Sequence, residues 1–185
     1  MTAEVVRQGT AVVGVGDCRI ASPPAVALAT YALGSCIAVL AWDWKLKMGG
    51  LLHVMLPDSS IDLSRASANP CAYVDTGVPT LYRELIARGS AKNQLRWCLA
   101  GGAGMMADSA HFEIGKRNHM AIKKTFWKLG LFVAQEDVGG SESRSVRLDL
   151  QTGRIGLRRG NNPEQTLSIP ALSLMKGTND GSIAR

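Results

Sequence analysis

Cys36 and His53 are the residues of this sequence whose types and spacing suggest a reactive pair. Cys36 directly precedes an apolar run, 37–42, that is partly β-branched or aromatic, and His53 lies inside a second apolar run, 51–56. A charged segment that ends in two glycines separates the runs, and this pattern is typical of a β-hairpin of two buried strands. A thiol beside an imidazole can pass its proton to the ring, which makes a cysteine nucleophilic near neutral pH.

The position of the turn decides whether the two side chains meet. If the turn is centred between Trp44 and Lys45, Cys36 and His53 lie directly opposite each other, with Cβ atoms about 4.5–5.5 Å apart. A slip of one residue would turn them to opposite faces of the hairpin. The sequence therefore predicts a facing Cys–His pair that depends on the register.

Three residues that precede Cys36 could complete a site. Gly34 and Ser35 stand directly before it, and a glycine there lets the backbone approach closely or take a positive φ. Backbone N–H groups of this turn would then stabilise an oxyanion beside the sulfur. Thr30 would lie across the turn and could accept the second ring N–H of His53, the orienting role that Asn or Asp has in other cysteine hydrolases.

Both members of the pair also have ordinary structural interpretations. A lone cysteine in an apolar strand is usually a small core residue, and a histidine near such a strand more often has a structural partner than a catalytic role. The predicted cross-strand pairing gives the catalytic interpretation the same weight as the structural one. Spacing alone does not choose between them.

A series of short segments keeps one order between residues 12 and 159. The first group consists of Thr30, 34–36, 49–50 and 53–57, and the later segments are 75–81, 101–103, 114–118, 136–140 and 152–154. Together they resemble the motifs of the CheD family, the chemoreceptor glutamine deamidases of bacterial and archaeal chemotaxis. The segment 61–69 and the residues beyond 160 match no block of that family.

The resemblance implies an activity and a role for each site residue. Cys36 would be the nucleophile, His53 the general base and Thr30 the third member of the site, with Gly34 and Ser35 in the oxyanion or substrate-binding position. The reaction would convert glutamine side chains of methyl-accepting chemoreceptors to glutamate through a thioester, without a metal or an organic cofactor. The family also binds CheC-type phosphatases, which implies a regulatory partner in chemotaxis.

Two other functions stay open. The chain could be a non-catalytic binding partner of a CheC-type phosphatase or of a receptor. In an enzyme, an activated Cys36 should react well below the ordinary thiol pKa of about 8.5, whereas a structural cysteine should not. A cysteine peptidase would share the chemistry but would cut the backbone of its substrate.

Composition favours a globular protein. The chain has 185 residues, of which 46% are hydrophobic and 19% charged, which suits one domain with a sizeable core. Its net charge of +6 could attract an acidic protein. We expect no nucleic-acid partner, because aromatic and basic residues are not interleaved as a stacking surface requires.

Cysteine usage and hydropathy indicate a cytoplasmic location without membrane insertion. The apolar stretch 25–42 is near the minimum length for a membrane span, but polar and glycine residues interrupt it. No signal peptide is evident, and none of the four cysteines forms a Cys-x-x-Cys pair, so free thiols are expected. With three histidines and no close Cys/His cluster, a zinc site is not expected.

The remaining pattern predicts an α/β or α+β layered sandwich, with a mixed, largely antiparallel sheet and two main helices. The resemblance implies a similar fold, like that of the deamidase domain of bacterial cytotoxic necrotizing toxins. One helix would be capped by Thr76 and the other by Asn118, and 57–70 would be a loop beside the site. We expect a flexible N-terminus over 1–10, the deamidase-like domain over 11–160 and a loosely packed tail over 161–185.

Overall fold

Two five-stranded β-sheets and a layer of helices make up the fold. The computed structural model describes residues 9–104 and 109–167, and for 109–113 the backbone alone. The strands in chain order are β1 (Thr10–Val12), β2 (Cys18–Ala21), β3 (Ala27–Leu33), β4 (Ile37–Asp43), β5 (Met48–Val54), β6 (Leu95–Gly101), β7 (Val133–Val138), β8 (Arg144–Asp149), β9 (Ile155–Arg159) and β10 (Gln165–Leu167). The helices are α1 (Leu63–Ala68), α2 (Val74–Ala87) and α3 (Ser109–Leu129). Short 3₁₀ turns occupy Ser59–Ile61, Pro70–Ala72 and Lys92–Gln94.

The pairing of the strands is mostly antiparallel. The first sheet has the order β1-β3-β8-β9-β10, and the second has the order β2-β5-β4-β6-β7. Within the described part of the chain, only the β1–β3 and β6–β7 pairs run parallel. With α2 and α3 as the two long helices, this confirms the predicted layered sandwich of mixed, largely antiparallel sheet.

Two apolar cores hold the layers together, and the second sheet contributes to both. The inter-sheet core lies between the two sheets and includes Leu28, Leu40, Leu51, Cys98, Leu148 and Leu157. The helix-side core lies between the second sheet and the helices and includes Val39, Leu52, Val78, Leu81, Trp97 and Phe126. Each leucine buried in this way stabilises the fold by about 1.5–3 kcal/mol.

Side chains of the central strands therefore alternate between the cores. In β5, Leu51 belongs to the inter-sheet core and Leu52 to the helix-side core. In β4, Val39 and Leu40 alternate in the same way. His53, two residues after Leu51, lies on the inter-sheet face of the second sheet because successive side chains of a strand point to opposite faces.

The structure corrects two helix starts. Helix α2 begins at Val74, and Thr76 lies inside its first turn, where the Oγ1 hydroxyl donates to the Pro70 carbonyl at 2.6 Å. Helix α3 begins at Ser109, so Asn118 lies in its interior rather than at its cap. Both predictions took a capping residue type for a start signal, and both residues instead bond to groups outside their own helix.

Three elements were not predicted, namely β2, α1 and β10. Strand β2 pairs with β5, and α1 lies within the segment 57–70 that was expected to be a loop. Asp62 explains α1, because its carboxylate caps the helix by accepting the Arg65 N–H at 2.9 Å.

Near the C-terminus, β10 follows residue 160 and pairs with β9, while Leu167 packs against the inter-sheet core. The remainder of the predicted tail, 168–185, lies outside the described residues, as do residues 1–8 of the predicted flexible N-terminus. Among the helices the structure describes, none is both long and apolar enough to cross a membrane.

Candidate active site

The β4–β5 hairpin exists, but its register differs from the prediction by two residues. His53 pairs with Ala38, not with Cys36, and the turn is centred between Lys45 and Leu46. The prediction that Cys36 and His53 lie directly opposite each other is therefore wrong.

The turn lies one position later than assumed, where the Asp43 carboxylate accepts the backbone N–H groups of Lys45 and Leu46, both at 2.9 Å. Gly49 and Gly50, which the sequence places at the end of the loop, belong to β5. A Cβ atom at Gly49 would overlap the side chain of Leu150, which directly follows β8, and one at Gly50 would come within 2.6 Å of Leu81 on α2. These glycines are needed where the strand is closely covered on both faces, and glycine at such a position is not a turn signal.

A shift of two residues leaves the two side chains on the same face. Cys36 stands two positions before Ala38, so it is a diagonal neighbour of His53 across the hairpin. Such neighbours are about 7–8 Å apart, within reach of long side chains. The thiol packs against the inter-sheet core and is only half-buried, so it is accessible from solvent at the start of β4.

Thr30 on β3 holds the His53 ring, as the sequence predicts. Its Oγ1 lies 2.8 Å from His53 Nδ1 and donates to the Val13 carbonyl at 2.7 Å. A threonine hydroxyl has one proton, and here that proton points to Val13, so the oxygen must accept from Nδ1–H. This assigns the tautomer of His53 and leaves Nε2 as a bare lone pair, which is the form a general base requires.

Burial keeps this imidazole neutral. His53 is 1% exposed, and Nε2 has no hydrogen-bond partner among the described residues. Desolvation lowers the pKa of His53 to about 4. The backbone of the residue is fixed on both sides, since its N–H donates to the Asp17 carbonyl at 3.0 Å and its carbonyl accepts from Gly16 at 2.8 Å.

The Cys36 thiol is also neutral in this state. Burial raises its pKa, and the backbone N–H of Cys36 itself, which lies beside the sulfur, opposes that shift. This direction is opposite to that expected of a thiolate activated before substrate arrives. A thiol and a neutral imidazole can react only if the proton moves as the sulfur attacks.

The turn before Cys36 leaves room beside the backbone. A Cβ atom on Gly34 would have nothing within 4 Å, so no close contact requires a glycine at this position, contrary to the prediction. The positive φ does not fall on Gly34 but on Ala32, at 56°, where the pairing of β3 with β8 is irregular between Thr30 and Leu33. Ser35 is half-buried next to this space.

The glycine segment after β6 closely approaches the backbone of the turn before Cys36. The Gly102 N–H donates to the Cys36 carbonyl at 2.8 Å, and the Ala103 N–H donates to the Gly34 carbonyl at 2.8 Å. Gly101 has a φ of 118°, and a Cβ atom there would overlap the Cys36 carbonyl. Only glycine fits this contact, which holds the segment before β4 against β6.

Asn118 is a site residue that the sequence reasoning missed. It is fully buried, and its Nδ2 donates to the Ser35 carbonyl at 3.2 Å and to the Met55 carbonyl at 2.9 Å. A signal was present in the sequence, because Asn118 shares a helical face with Ile122 and Phe126. A polar residue on an apolar helix face needs internal partners, and here they are the two chain segments beside Cys36 and His53.

All four cysteines are free thiols, as predicted. Cys98 is buried in the inter-sheet core, and Cys18, Cys36 and Cys71 are half-buried. Over residues 9–104 and 109–167, no group of three or more His, Cys, Asp or Glu side chains is arranged to hold a metal ion.

Comparison with known proteins assigns the family. The family model for CheD, described as chemotactic sensory transduction, matches residues 55–159. The chain belongs to the CheD family. A protein of Solibacter usitatus named "Probable chemoreceptor glutamine deamidase CheD" is 48% identical over 160 residues, which cover 86% of this chain and 95% of the relative.

Two further relatives of the CheD family carry similar names. One from Syntrophus aciditrophicus is 40% identical over 159 residues, covering 86% of this chain and 99% of its own length. One from Pyrococcus abyssi is 38% identical over 149 residues, covering 80% of this chain and 90% of its own length. Thr30, Cys36 and His53 all precede the segment that the family model matches, so the argument for their roles rests on their geometry.

Proposed function

We propose that this chain is a protein-glutamine deamidase that converts glutamine side chains of methyl-accepting chemoreceptors to glutamate. The substrate class follows from the names of the relatives, which are probable chemoreceptor glutamine deamidases. The observation that supports a cysteine mechanism is the His53 ring, whose Nδ1–H is held by Thr30 while Nε2 stays free on the face that Cys36 shares.

The first half of the reaction forms a thioester and releases ammonia. His53 Nε2 takes the thiol proton as Cys36 Sγ attacks the carboxamide carbon of the substrate glutamine, and the carbonyl oxygen becomes an oxyanion. The imidazolium then gives that proton to the departing nitrogen, so that the C–N bond breaks and ammonia leaves. The neutral imidazole is restored, and the glutamyl group remains on the sulfur.

The second half uses water. His53 takes a proton from a water molecule as its oxygen attacks the thioester carbon, and the proton returns to the sulfur when the C–S bond breaks. The product is glutamate, and Cys36 is again a thiol. Thr30 orients the base in both halves, because its hydroxyl oxygen holds the proton on Nδ1 and keeps Nε2 available.

Partner binding and location extend the proposal beyond this site. The net charge of +6 favours approach to an acidic receptor surface. A CheC-type phosphatase would be a regulatory partner, and the protein would act in the cytoplasm, where the receptor domains to be modified lie. Co-elution of the purified protein with a CheC-type phosphatase in size-exclusion chromatography tests the partner separately from the activity.

The activity is tested by incubating the protein with a chemoreceptor cytoplasmic fragment and measuring ammonia release and amide-to-acid conversion by mass spectrometry. The expected result is conversion at specific glutamines by the wild type and none by Cys36→Ala. Full conversion by Cys36→Ala would contradict the proposed mechanism. Binding without conversion by the wild type would favour a non-catalytic partner, and shorter fragments on a gel would indicate a peptidase.

A further inference from the structure

We propose that Asn118 is a positioning residue that directs the backbone N–H of Cys36 toward the oxyanion formed during deamidation. This inference rests on the proposed function. Asn118 itself does not touch the reacting atoms. It acts through the Ser35 carbonyl, to which its side-chain amide donates at 3.2 Å.

Three consecutive carbonyl groups around the nucleophile each accept a hydrogen bond. The Gly34 and Cys36 carbonyls accept from the backbone of the segment after β6, both at 2.8 Å. The Ser35 carbonyl between them accepts from Asn118 on α3. Asn118 therefore supplies the one side-chain bond among the contacts described for these three peptide groups.

The orientation of the Asn118 amide follows from its partners. The carbonyls of Ser35 and Met55 can only accept hydrogen bonds, so the NH₂ group must face both of them. Oδ1 then faces away, and it is buried without a partner among the described residues. An unpaired buried acceptor is unfavourable, and apolar packing of the helix would not require it. The two donated bonds account for the presence of an amide here.

The direction of the Ser35 carbonyl determines the direction of the Cys36 N–H. In a trans peptide these two groups lie in one plane and point in opposite directions, and the only cis bond among the described residues is Pro23–Pro24. Asn118 holds the carbonyl toward α3, on the helix side of the second sheet. The Cys36 N–H is thereby directed to the inter-sheet side, where the thiol packs.

On that side of the sheet the N–H lies near the thiol of its own residue, where it opposes the rise in the thiol pKa that burial causes. A donor beside the sulfur is also near the carbon that the sulfur attacks, and hence near the oxygen that becomes negative. The second hydrogen bond from Asn118, to the Met55 carbonyl, connects the same side chain to the segment that directly follows β5, the strand that carries His53. One side chain thus positions both halves of the pair.

Two substitutions test this role in the full-length protein. Asn118→Leu keeps the size of the side chain and removes both donors, and Asn118→Asp places an oxygen opposite two carbonyls. We expect kcat for the receptor fragment to fall about 10- to 100-fold in each, less than the loss on removing an oxyanion donor outright, with KM changed by less than about threefold. The pH profile of Cys36 alkylation by iodoacetamide should move to higher pH, because the N–H no longer favours the thiolate.

The matched control is Ser90→Ala, which removes a buried polar group that follows α2 and has no described partner. It should keep the wild-type kcat and alkylation profile. Thermal unfolding identifies which Asn118 variants are folded, and either one suffices for the comparison. A folded variant with lowered kcat and a shifted alkylation profile supports the proposal.

Two results would overturn it. One is a folded variant with wild-type kcat, and the other is a fall in kcat with an unchanged alkylation profile, which would assign Asn118 a purely structural role. The Cys36→Ala variant separates this failure from failure of the proposed function. If Cys36→Ala stays active, the deamidase mechanism fails; if it is inactive while the Asn118 variants behave as wild type, only the role of Asn118 fails.

Discussion

Cys36, which directly precedes β4, and Cys98, on the adjacent strand β6, contact the same inter-sheet core, yet their surroundings differ. Cys98 is in the middle of β6, paired with Leu40, and is completely buried. Burial raises the pKa of the Cys98 thiol to about 12. Cys36 precedes β4, is half-buried and has His53 as its diagonal neighbour.

The comparison shows that position along the strand, more than sheet face, separates a solvent-accessible cysteine from a fully buried one. In the strand interior, neighbouring strands and helices exclude solvent and any substrate. At the start of β4, the chain is held by backbone bonds while the Gly34 side remains open. The predictions below test this difference, beginning with the largest expected effect.

Removal of each thiol should separate the two regions most clearly. Cys36→Ala should reduce deamidation by about a thousandfold or more, because the nucleophile is lost. Cys98→Ala should keep kcat within about twofold and instead lower the free energy of unfolding, by about 1 kcal/mol for a small buried side chain. Steady-state ammonia release and urea unfolding measure the two effects. Loss of activity in Cys98→Ala at unchanged stability would contradict the comparison.

Substitution of histidines gives the next effect. His53→Gln should lower kcat by about 100- to 10,000-fold, because a positioned general base is lost. His119→Gln is the matched control. His119 lies on α3, and its ring bonds to the Glu136 carboxylate at 3.1 Å rather than to Cys36. It should leave kcat near the wild-type value. Equal losses in both variants, measured as initial rates, would argue against a specific Cys36–His53 unit.

Thr30 should matter less than either member of the pair. Thr30→Val keeps the shape of the side chain but removes the hydroxyl, so His53 can adopt the wrong tautomer. We expect a loss of about 10- to 100-fold in kcat. Thr30→Ser retains the hydroxyl and should recover most of the activity. A fully active Thr30→Val protein would show that the 2.8 Å bond does not orient the base.

The pH dependence of stability follows from the burial of His53. Its pKa of about 4 in the folded state is below the ordinary value of 6.5, so the unfolded chain binds the proton first as the pH falls. Above pH 6.5, His53 does not change the free energy of unfolding. As the pH falls from 6.5 toward about 4, only the unfolded chain binds the proton, so the free energy of unfolding decreases. Relative to His53→Gln, the wild type should lose about 2–3 kcal/mol between pH 7.5 and pH 4.5. Parallel urea unfolding curves for the two proteins at both pH values would contradict the assigned burial.

Filling the space beside Gly34 should have the smallest effect. Gly34→Ala adds a methyl group where no atom lies within 4 Å, so the fold should tolerate it while substrate approach is hindered. We expect KM to rise about two- to fivefold with kcat changed less, since one methyl group is involved. Gly14→Ala adds the same methyl group in open space on the loop between β1 and β2, and it should change neither constant. Unchanged KM in Gly34→Ala would place the substrate elsewhere.

The sequence predicted the fold class and the contact between Thr30 and His53, with errors elsewhere that have physical causes. The predicted hairpin register was wrong because the turn is centred one position later, where the Asp43 carboxylate accepts the N–H groups of Lys45 and Leu46. A shift of two residues keeps a side chain on the same face of its strand. Cys36 and His53 therefore share a face of the hairpin, although they are not directly paired.

The contacts of Asn118 could not be predicted, because its partners are the backbone carbonyls of Ser35 and Met55. Side-chain spacing contains no information about which carbonyl a distant helix will meet. The same limit applies to the tautomer of His53, which depends on the bond from Thr30 to the Val13 carbonyl. Such contacts are determined by the packing of layers, and only the folded structure shows them.

The central claim is that Cys36, and no other thiol of the chain, forms a covalent intermediate with a substrate glutamine. It is tested most directly by mixing the protein with a glutamine-containing receptor fragment, quenching with acid during the first turnover and measuring intact mass. The account predicts an adduct equal to the fragment mass less one ammonia, located on Cys36 and absent from Cys36→Ala. Deamidated fragment without any adduct on Cys36, or an adduct on Cys98, would contradict it.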